Sequence, residues 1–231
     1  MAANFFPASD RGHATYDWLS SYFYYSFASY YDPSRMGFGP LRVINDDTIA
    51  PSSGFPMHSH QNMEIITIVT SGTLIHKDSL GNTGHIDSGT IQVMSAGTGI
   101  THSEYNASPD KPLELFQIWI IPNQTGHQPR YQEQPFTTEP NIIQTLVGPE
   151  GSTQGALQIY QDASISKGSF TKDVKQEYSP RHTHGVKIVV ISGTLSCQGY
   201  DLRGKDSIEI TGQKKINLEI TAGAEFLLFD M

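Results

Sequence analysis

Met57-His58-Ser59-His60, followed by Glu64-Ile65-Ile66-Thr67-Ile68-Val69 and closed at Gly72, has a counterpart about forty residues on. The counterpart is Met94-Ser95-Ala96-Gly97-Thr98-Gly99-Ile100-Thr101-His102-Ser103-Glu104-Tyr105-Asn106. Both runs place ligand-type residues at i and i+2. Successive side chains of a strand point to opposite faces, so His58 with His60, and His102 with Glu104, each project to one side. Two strands thus offer four ligands to one centre. Neutral imidazoles suit first-row divalent ions, and one carboxylate offsets part of the charge while leaving positions for water, dioxygen or an organic substrate. An open set of this kind points to catalysis rather than to structure alone. A single H-x-H is weak, since histidines two apart on a strand are as often surface residues. Its conjunction with an apolar strand, a turn-rich hairpin, a Gly-x-Gly approach and H-x-E is much more specific.

Working outward, Thr73 to Asp78 and the return through His85 and Ile86 to Gly89 read as a hairpin, with glycines where positive φ is cheap. Ile91 to Met94 is the next strand. Gly97-Thr98-Gly99 bends the chain just before His102, which sets the second ligand pair opposite the first if the sheet closes into a barrel around a pocket. Leu113 to Ile121 is the longest strand signal. Gln117 sits in the middle of its apolar face with Leu113, Leu115 and Trp119, so it requires a hydrogen-bonding partner or an aqueous cavity.

Residues 1–50 contain an aromatic-heavy segment from Trp18 to Tyr31. It lacks interleaved basic residues, so packing over a sheet is expected rather than nucleic-acid stacking. Leu41 to Asn45 reads as a strand ended by Asp46-Asp47. His13, His76, His85 and His127 lack an i+2 imidazole and are expected to be structural or exposed, although His76, directly after the ligand strand, is able to face the pocket.

Pro122 to Pro149 reads as loop-rich, and the domain boundary is placed here: residues 1–135 form an N-terminal metal-binding domain and residues 136–231 a second, smaller β barrel. The second half echoes the first in His182-Thr183-His184 and Val186 to Gly193, but no H-x-E follows. Two imidazoles rarely hold a metal, so a remnant or a surface pair is expected.

The chain has 231 residues, a formal net charge of -8 and one cysteine, Cys197. The acidic balance without a Lys/Arg cluster argues against direct binding to nucleic acid or an anionic membrane, and is compatible with a protein partner. A lone cysteine forms no intrachain disulfide and reads as a small strand residue. The opening Met1-Ala2-Ala3-Asn4-Phe5-Phe6 lacks the features of a leader, and no apolar run approaches the ~20 residues of a membrane span. A cytoplasmic monomer is expected.

The paired motifs resemble those of a cupin and, more narrowly, of the pirin family. Arg11-Gly12-His13, Tyr30-Tyr31-Asp32-Pro33, Leu41-Arg42-Val43-Ile44-Asn45-Asp46-Asp47 and Phe226-Leu227-Leu228-Phe229-Asp230 support this along the whole chain. The resemblance is to the shorter bacterial branch. It implies an all-β bicupin, two β-barrel or jelly-roll domains with the metal site in the N-terminal one. It implies His58, His60, His102 and Glu104 as metal ligands. General cupins take their carboxylate from the first motif, where Glu64 stands, so Glu64 competes for the role; the pirin spacing favours Glu104 and leaves Glu64 outside the ligand set. The implied activity is that of quercetin 2,3-dioxygenase, opening the central ring of a flavonol with dioxygen and releasing carbon monoxide, with Glu104 also the catalytic base. Fe(II) is the expected ion, and Mn, Co, Ni, Cu and Zn are able to occupy similar sites. The alternative function is that of a metal-responsive regulatory protein of the pirin type acting through its surface.

Overall fold

The computed structural model describes residues 2–137 and 139–231, so Met1, at the start of the opening stretch, and Thr138 lie outside it. Among the described residues the fold is all-β, with a single 3-10 turn at Ala8–Asp10 and no α-helix. No helix there is long and apolar enough to cross a membrane.

Two compact units form. One comprises Gly12–Phe136 with Leu157–Gln161, the other Met1–Arg11, Thr137–Ala156 and Asp162–Met231. These units differ from the expected division into residues 1–135 and 136–231 in where the first eleven residues and Leu157–Gln161 fall. The strand Ala2–Phe6 pairs antiparallel with Ser207–Thr211, Ala2 opposite Thr211, and so completes a sheet of the second barrel. The Ala8 backbone N–H donates to Asp206 Oδ1 at 2.7 Å and fixes this crossing.

In the first unit a large antiparallel sheet runs in the order Arg130–Pro135, Thr90–Ser95, Glu64–Ser71, Leu113–Ile120, Leu41–Ile49, Leu19–Phe23 and Gly12–Thr15. A smaller sheet runs Gly54–His60, Ile100–Asn106, Thr73–Asp78 and Thr83–Asp87. Leu74 and Ile86 of the small sheet bury against Leu19, Ile49, Val69, Leu113 and Leu115 of the large one, which closes one end of the barrel. Ile65, Met94, Ala96 and Ile100 form a second apolar layer. The expected hairpin forms from Thr73–Asp78 and Thr83–Asp87, with Leu74 opposite Ile86.

The second unit repeats the plan. Ala2–Phe6, Ser207–Thr211, Val186–Ser192, Glu225–Asp230, Ser164–Ser169 and Ile142–Pro149 lie in order in one sheet; Val174–Tyr178, Ile216–Ile220, Thr194–Cys197 and Tyr200–Arg203 make the other. Its apolar core is filled by Val186, Ile188, Leu195, Leu218, Phe226 and Leu228 among others. Gly72 and Gly193 close equivalent turns at φ +85° and +76°, a conformation in which any side chain is strained.

Pro122 to Pro149 is not mainly loop. It supplies Arg130–Pro135 and Ile142–Pro149, whose prolines stand at strand ends where a missing N–H is tolerated. The strand expected to end at Asp46-Asp47 continues to Ile49, because Asp47 turns inward and finds the Ser21 hydroxyl.

Candidate metal centre

The large sheet carries a polar row across the middle of the barrel. Asn45 lies opposite Gln117, Gln117 opposite Thr67, and Thr67 opposite Gln92. Each is buried. The row lies between the two apolar layers, and a buried polar group needs a partner. For Gln117 and Thr67 the partner on the small sheet is Glu104, whereas Asn45 Oδ1 and Gln92 Oε1 are buried without one. Gln117 Nε2 donates to Glu104 Oε2 at 2.9 Å, and the Thr67 hydroxyl lies 3.2 Å from Gln117 Oε1 and 3.4 Å from Glu104 Oε1. The requirement posed by Gln117 is met by Glu104.

On the small sheet His102 is the direct cross-strand neighbour of His58, and a register shift between His102 and Glu104 sets Glu104 opposite Phe55. Ligand atoms of His58, His60 and His102 lie within 4.8 Å of one another. Glu104 falls in a second such group, with His76 and His102, rather than with His58 and His60. All four expected residues line one cavity of about 180 Å³. Glu64 does not. It is buried elsewhere in the unit, accepting from Ser95 Oγ at 2.7 Å.

Burial governs the electrostatics. It pushes the His102 imidazole down to about 2, helped by His58, His60 and His76, and the His60 imidazole down to about 4, helped by His58. Both are therefore neutral donors at physiological pH. The same desolvation pushes the Glu104 carboxyl up to about 7 against the hydrogen bonds from Gln117 and Thr67. His58 Nδ1 is 2.8 Å from the Pro56 carbonyl, a bond it donates, which leaves Nε2 free for a ligand.

The aromatic stretch does more than cover a sheet. Leu19–Phe23 is itself a strand, and Phe27 reaches the cavity, where its ring meets Trp119 edge-on at 5.3 Å. Trp119 in turn stands edge-on to His60 at 4.9 Å. Phe55 lines the cavity as well, braced by Trp18 at 5.0 Å. His13 stacks on Tyr22, and His127 on Tyr160, each away from the cavity lining. His76 is the residue sequence reasoning placed too low. It is fully buried behind His102, and the signal was there: His76 and Asp78 form a third i, i+2 pair on the strand beside the second motif.

Comparison with known proteins agrees with this architecture. Residues 6–120 match the pirin family and residues 145–231 match the quercetinase C-terminal cupin domain. The chain is 40% identical over 224 residues to the quercetin 2,3-dioxygenase of Escherichia coli K12, covering 97% of this chain and 96% of that one. This chain belongs to the pirin family. A pirin-like protein of Caulobacter vibrioides is 38% identical over 226 residues, with 97% of each chain covered. The crystal structure of the bacterial pirin YhhW from Escherichia coli in complex with nickel(II) superposes with a TM-score of 0.95 at 39% identity, covering 100% of this chain and 99% of that one.

The donor set of this pirin fits a divalent ion. His102 Nε2 is buried with no hydrogen-bond partner, an arrangement costly for an acceptor unless something else engages its lone pair. In the second cupin domain no group of three ligating side chains meets the same 4.8 Å criterion among the described residues. There His182 Nδ1 pairs with Asp162 at 3.0 Å, and the backbone N–H groups of Arg181 and His182 donate to the Asp230 carboxylate. Cys197 is a buried strand residue whose thiol burial pushes up to about 12.

Asp47, also in the cavity wall, yields a stability prediction. Burial, with Asp46 and Glu104 adding, pushes its carboxyl from 3.8 up to about 7 against the Ser21 hydrogen bond. Between those values the unfolded chain is ionised and the native state is not. The stability is therefore full below pH 4 and lost as pH rises toward 7. Each tenfold in proton affinity is worth about 1.4 kcal/mol. Asp47→Asn is accordingly expected to gain on the wild type, by on the order of 2–4 kcal/mol between pH 4 and pH 8. Denaturant unfolding of metal-free protein at both pH values checks this; equal differences at the two would refute it.

Proposed function

We propose that this pirin is a metal-dependent dioxygenase that opens the central ring of a flavonol with dioxygen and releases carbon monoxide. The ligand set is His58, His60, His102 and Glu104 in the N-terminal barrel. The single observation that supports it most is the unpartnered, buried Nε2 of His102 converging with His58 and His60, next to a carboxyl whose proton affinity burial has raised. A bound divalent ion, with Fe(II) the first choice, supplies Lewis acidity toward a chelating substrate oxygen and redox chemistry toward dioxygen.

The chain's own residues do the rest. Phe27, Phe55 and Trp119 give the cavity flat apolar walls that suit a planar aromatic substrate and exclude water. Glu104 acts as general base toward the flavonol 3-hydroxyl. A carboxylate is able to take a proton from a substrate hydroxyl and give it back. Gln117 Nε2 holds Oε2 at 2.9 Å, while the single proton of Thr67 has a nearer acceptor in Gln117 Oε1. Gln117 thereby keeps the Glu104 carboxylate from rotating.

The experiment is oxygen uptake with quercetin by protein loaded in turn with Fe(II), Mn, Co, Ni, Cu and Zn, with carbon monoxide assayed in parallel. Uptake with stoichiometric carbon monoxide from at least one form is expected. Failure with every ion would sink the proposal and leave the surface-acting regulatory function as the better account.

A further inference from the structure

We propose that Asp78 and His76 are positioning residues that fix the tautomer of His102, so that its Nε2 presents a bare lone pair to the metal centre. The proposal rests on His102 being a ligand, and is independent of the substrate.

The strand Thr73–Asp78 lies beside Ile100–Asn106, with His102 opposite Asp78 and Glu104 opposite His76. Neither the His76 nor the Asp78 side chain has solvent exposure. The Asp78 carboxylate is held from one side by the turn that follows it: Oδ1 accepts from Leu80 N at 2.9 Å and Asn82 N at 3.0 Å, and Oδ2 from Asn82 Nδ2 at 3.0 Å. On the other side Oδ2 lies 3.2 Å from His76 Nε2. A carboxylate only accepts, so the His76 proton sits on Nε2 and its Nδ1 carries a lone pair.

That lone pair faces two groups, Gln92 Nε2 at 3.4 Å and His102 Nδ1 at 3.5 Å. An acceptor at this place favours a proton on His102 Nδ1, which leaves Nε2 unprotonated. This is the atom that is buried and without a partner, on a ring 4.4 Å from that of His58 and 5.0 Å from that of His60. Tyr131 stacks on His76 at 4.7 Å and keeps its ring in plane for both bonds. The direction of the whole chain is set at Asp78. An amide there presents N–H to His76 Nε2, drives the His76 proton to Nδ1, and sets donor against donor at His102. His102 then moves its own proton to Nε2 and loses its lone pair for the ion. Outer-shell hydrogen bonds of this type commonly govern metal affinity by 10–100-fold.

The test uses the full chain and Ni(II) as the probe. Two quantities are measured: the Ni(II) dissociation constant, and the nitrogen-15 imidazole signals of His102 in metal-free protein, which report which nitrogen carries the proton. Asp78→Asn and His76→Leu are expected to weaken Ni(II) by about 10–100-fold and to move the His102 proton from Nδ1 to Nε2. His76→Gln, whose amide oxygen accepts from His102 Nδ1–H, is expected to keep the wild-type tautomer and most of the affinity. An unchanged tautomer and affinity in Asp78→Asn would overturn the relay, as would equal losses in His76→Leu and His76→Gln, which point to packing alone. A wild type whose Ni(II) binding is not removed by His58→Ala overturns the ligand set and the relay with it.

Discussion

His102→Ala is expected to lose divalent-ion retention and quercetin-dependent oxygen uptake together, each by ~100-fold or more. His102 is the residue common to both groups of ligating side chains, the one cross-paired with His58, and the one whose Nε2 is buried without a partner. Its loss leaves two half-buried histidines on one strand and a Glu104 that is grouped with His102 and His76 rather than with them, so the remaining donors no longer converge as one set. The informative control is His182→Ala. That residue belongs to the corresponding H-x-H of the second barrel, where it pairs with Asp162 and lies outside the cavity lining. Unaltered ion content in both variants would contradict the assignment. Equilibrium dialysis followed by elemental analysis provides the measurement, with an oxygen electrode run on the same samples.

The second large effect concerns stability. Phe226→Ala is expected to cost about 3–5 kcal/mol, the range for truncating a fully buried aromatic ring. Phe226 has no solvent exposure, stacks on Phe170 at 5.9 Å, and lies over Gly168 so closely that a Cβ there would sit 2.4 Å from its Cζ. A glycine beneath and a second ring beside it leave little that can relax into the void. Denaturant midpoints should fall accordingly, whereas Ni(II) affinity of the protein that remains folded should stay at the wild-type value, since no residue of the first barrel's cavity is touched. A loss below about 1 kcal/mol would mean that the site collapses around the missing ring.

The difference between these two barrels was partly visible in the chain. Spacing of two on a strand is a local rule, so His58, His60, His102 and Glu104 could be found without knowing how the strands pair. Gln117 could be marked as needing a partner for the same reason, although Glu104 as that partner depends on a pairing that no local pattern encodes. His76 was harder. Its significance lies in the strand beside it, and its own i+2 neighbour is an aspartate that reads as the end of a hairpin strand. Asp47 misled in the same way: two adjacent aspartates look like a strand terminator, yet the second one turns inward to Ser21 on a strand that the aromatic run Trp18–Tyr31 concealed. Pro122 to Pro149 read as loop-rich because its prolines are dense and Arg130–Pro135, polar but for Tyr131 and Pro135, carries no apolar alternation to mark a strand.

The strand Ala2–Phe6 makes its pairs with Ser207–Thr211, roughly two hundred residues later in the chain. Synthesis runs from the amino end, so this strand emerges early and waits while the whole N-terminal barrel is made. That barrel holds every strand of its own two sheets between Gly12 and Pro135, and can close on the ribosome. The second barrel cannot, because Ser207–Thr211 must emerge before the waiting strand finds its place. Assembly is therefore expected to be ordered, with the N-terminal barrel first, and the unpaired edge of Ala2–Phe6 is the surface a nascent chain has most reason to shield from its neighbours.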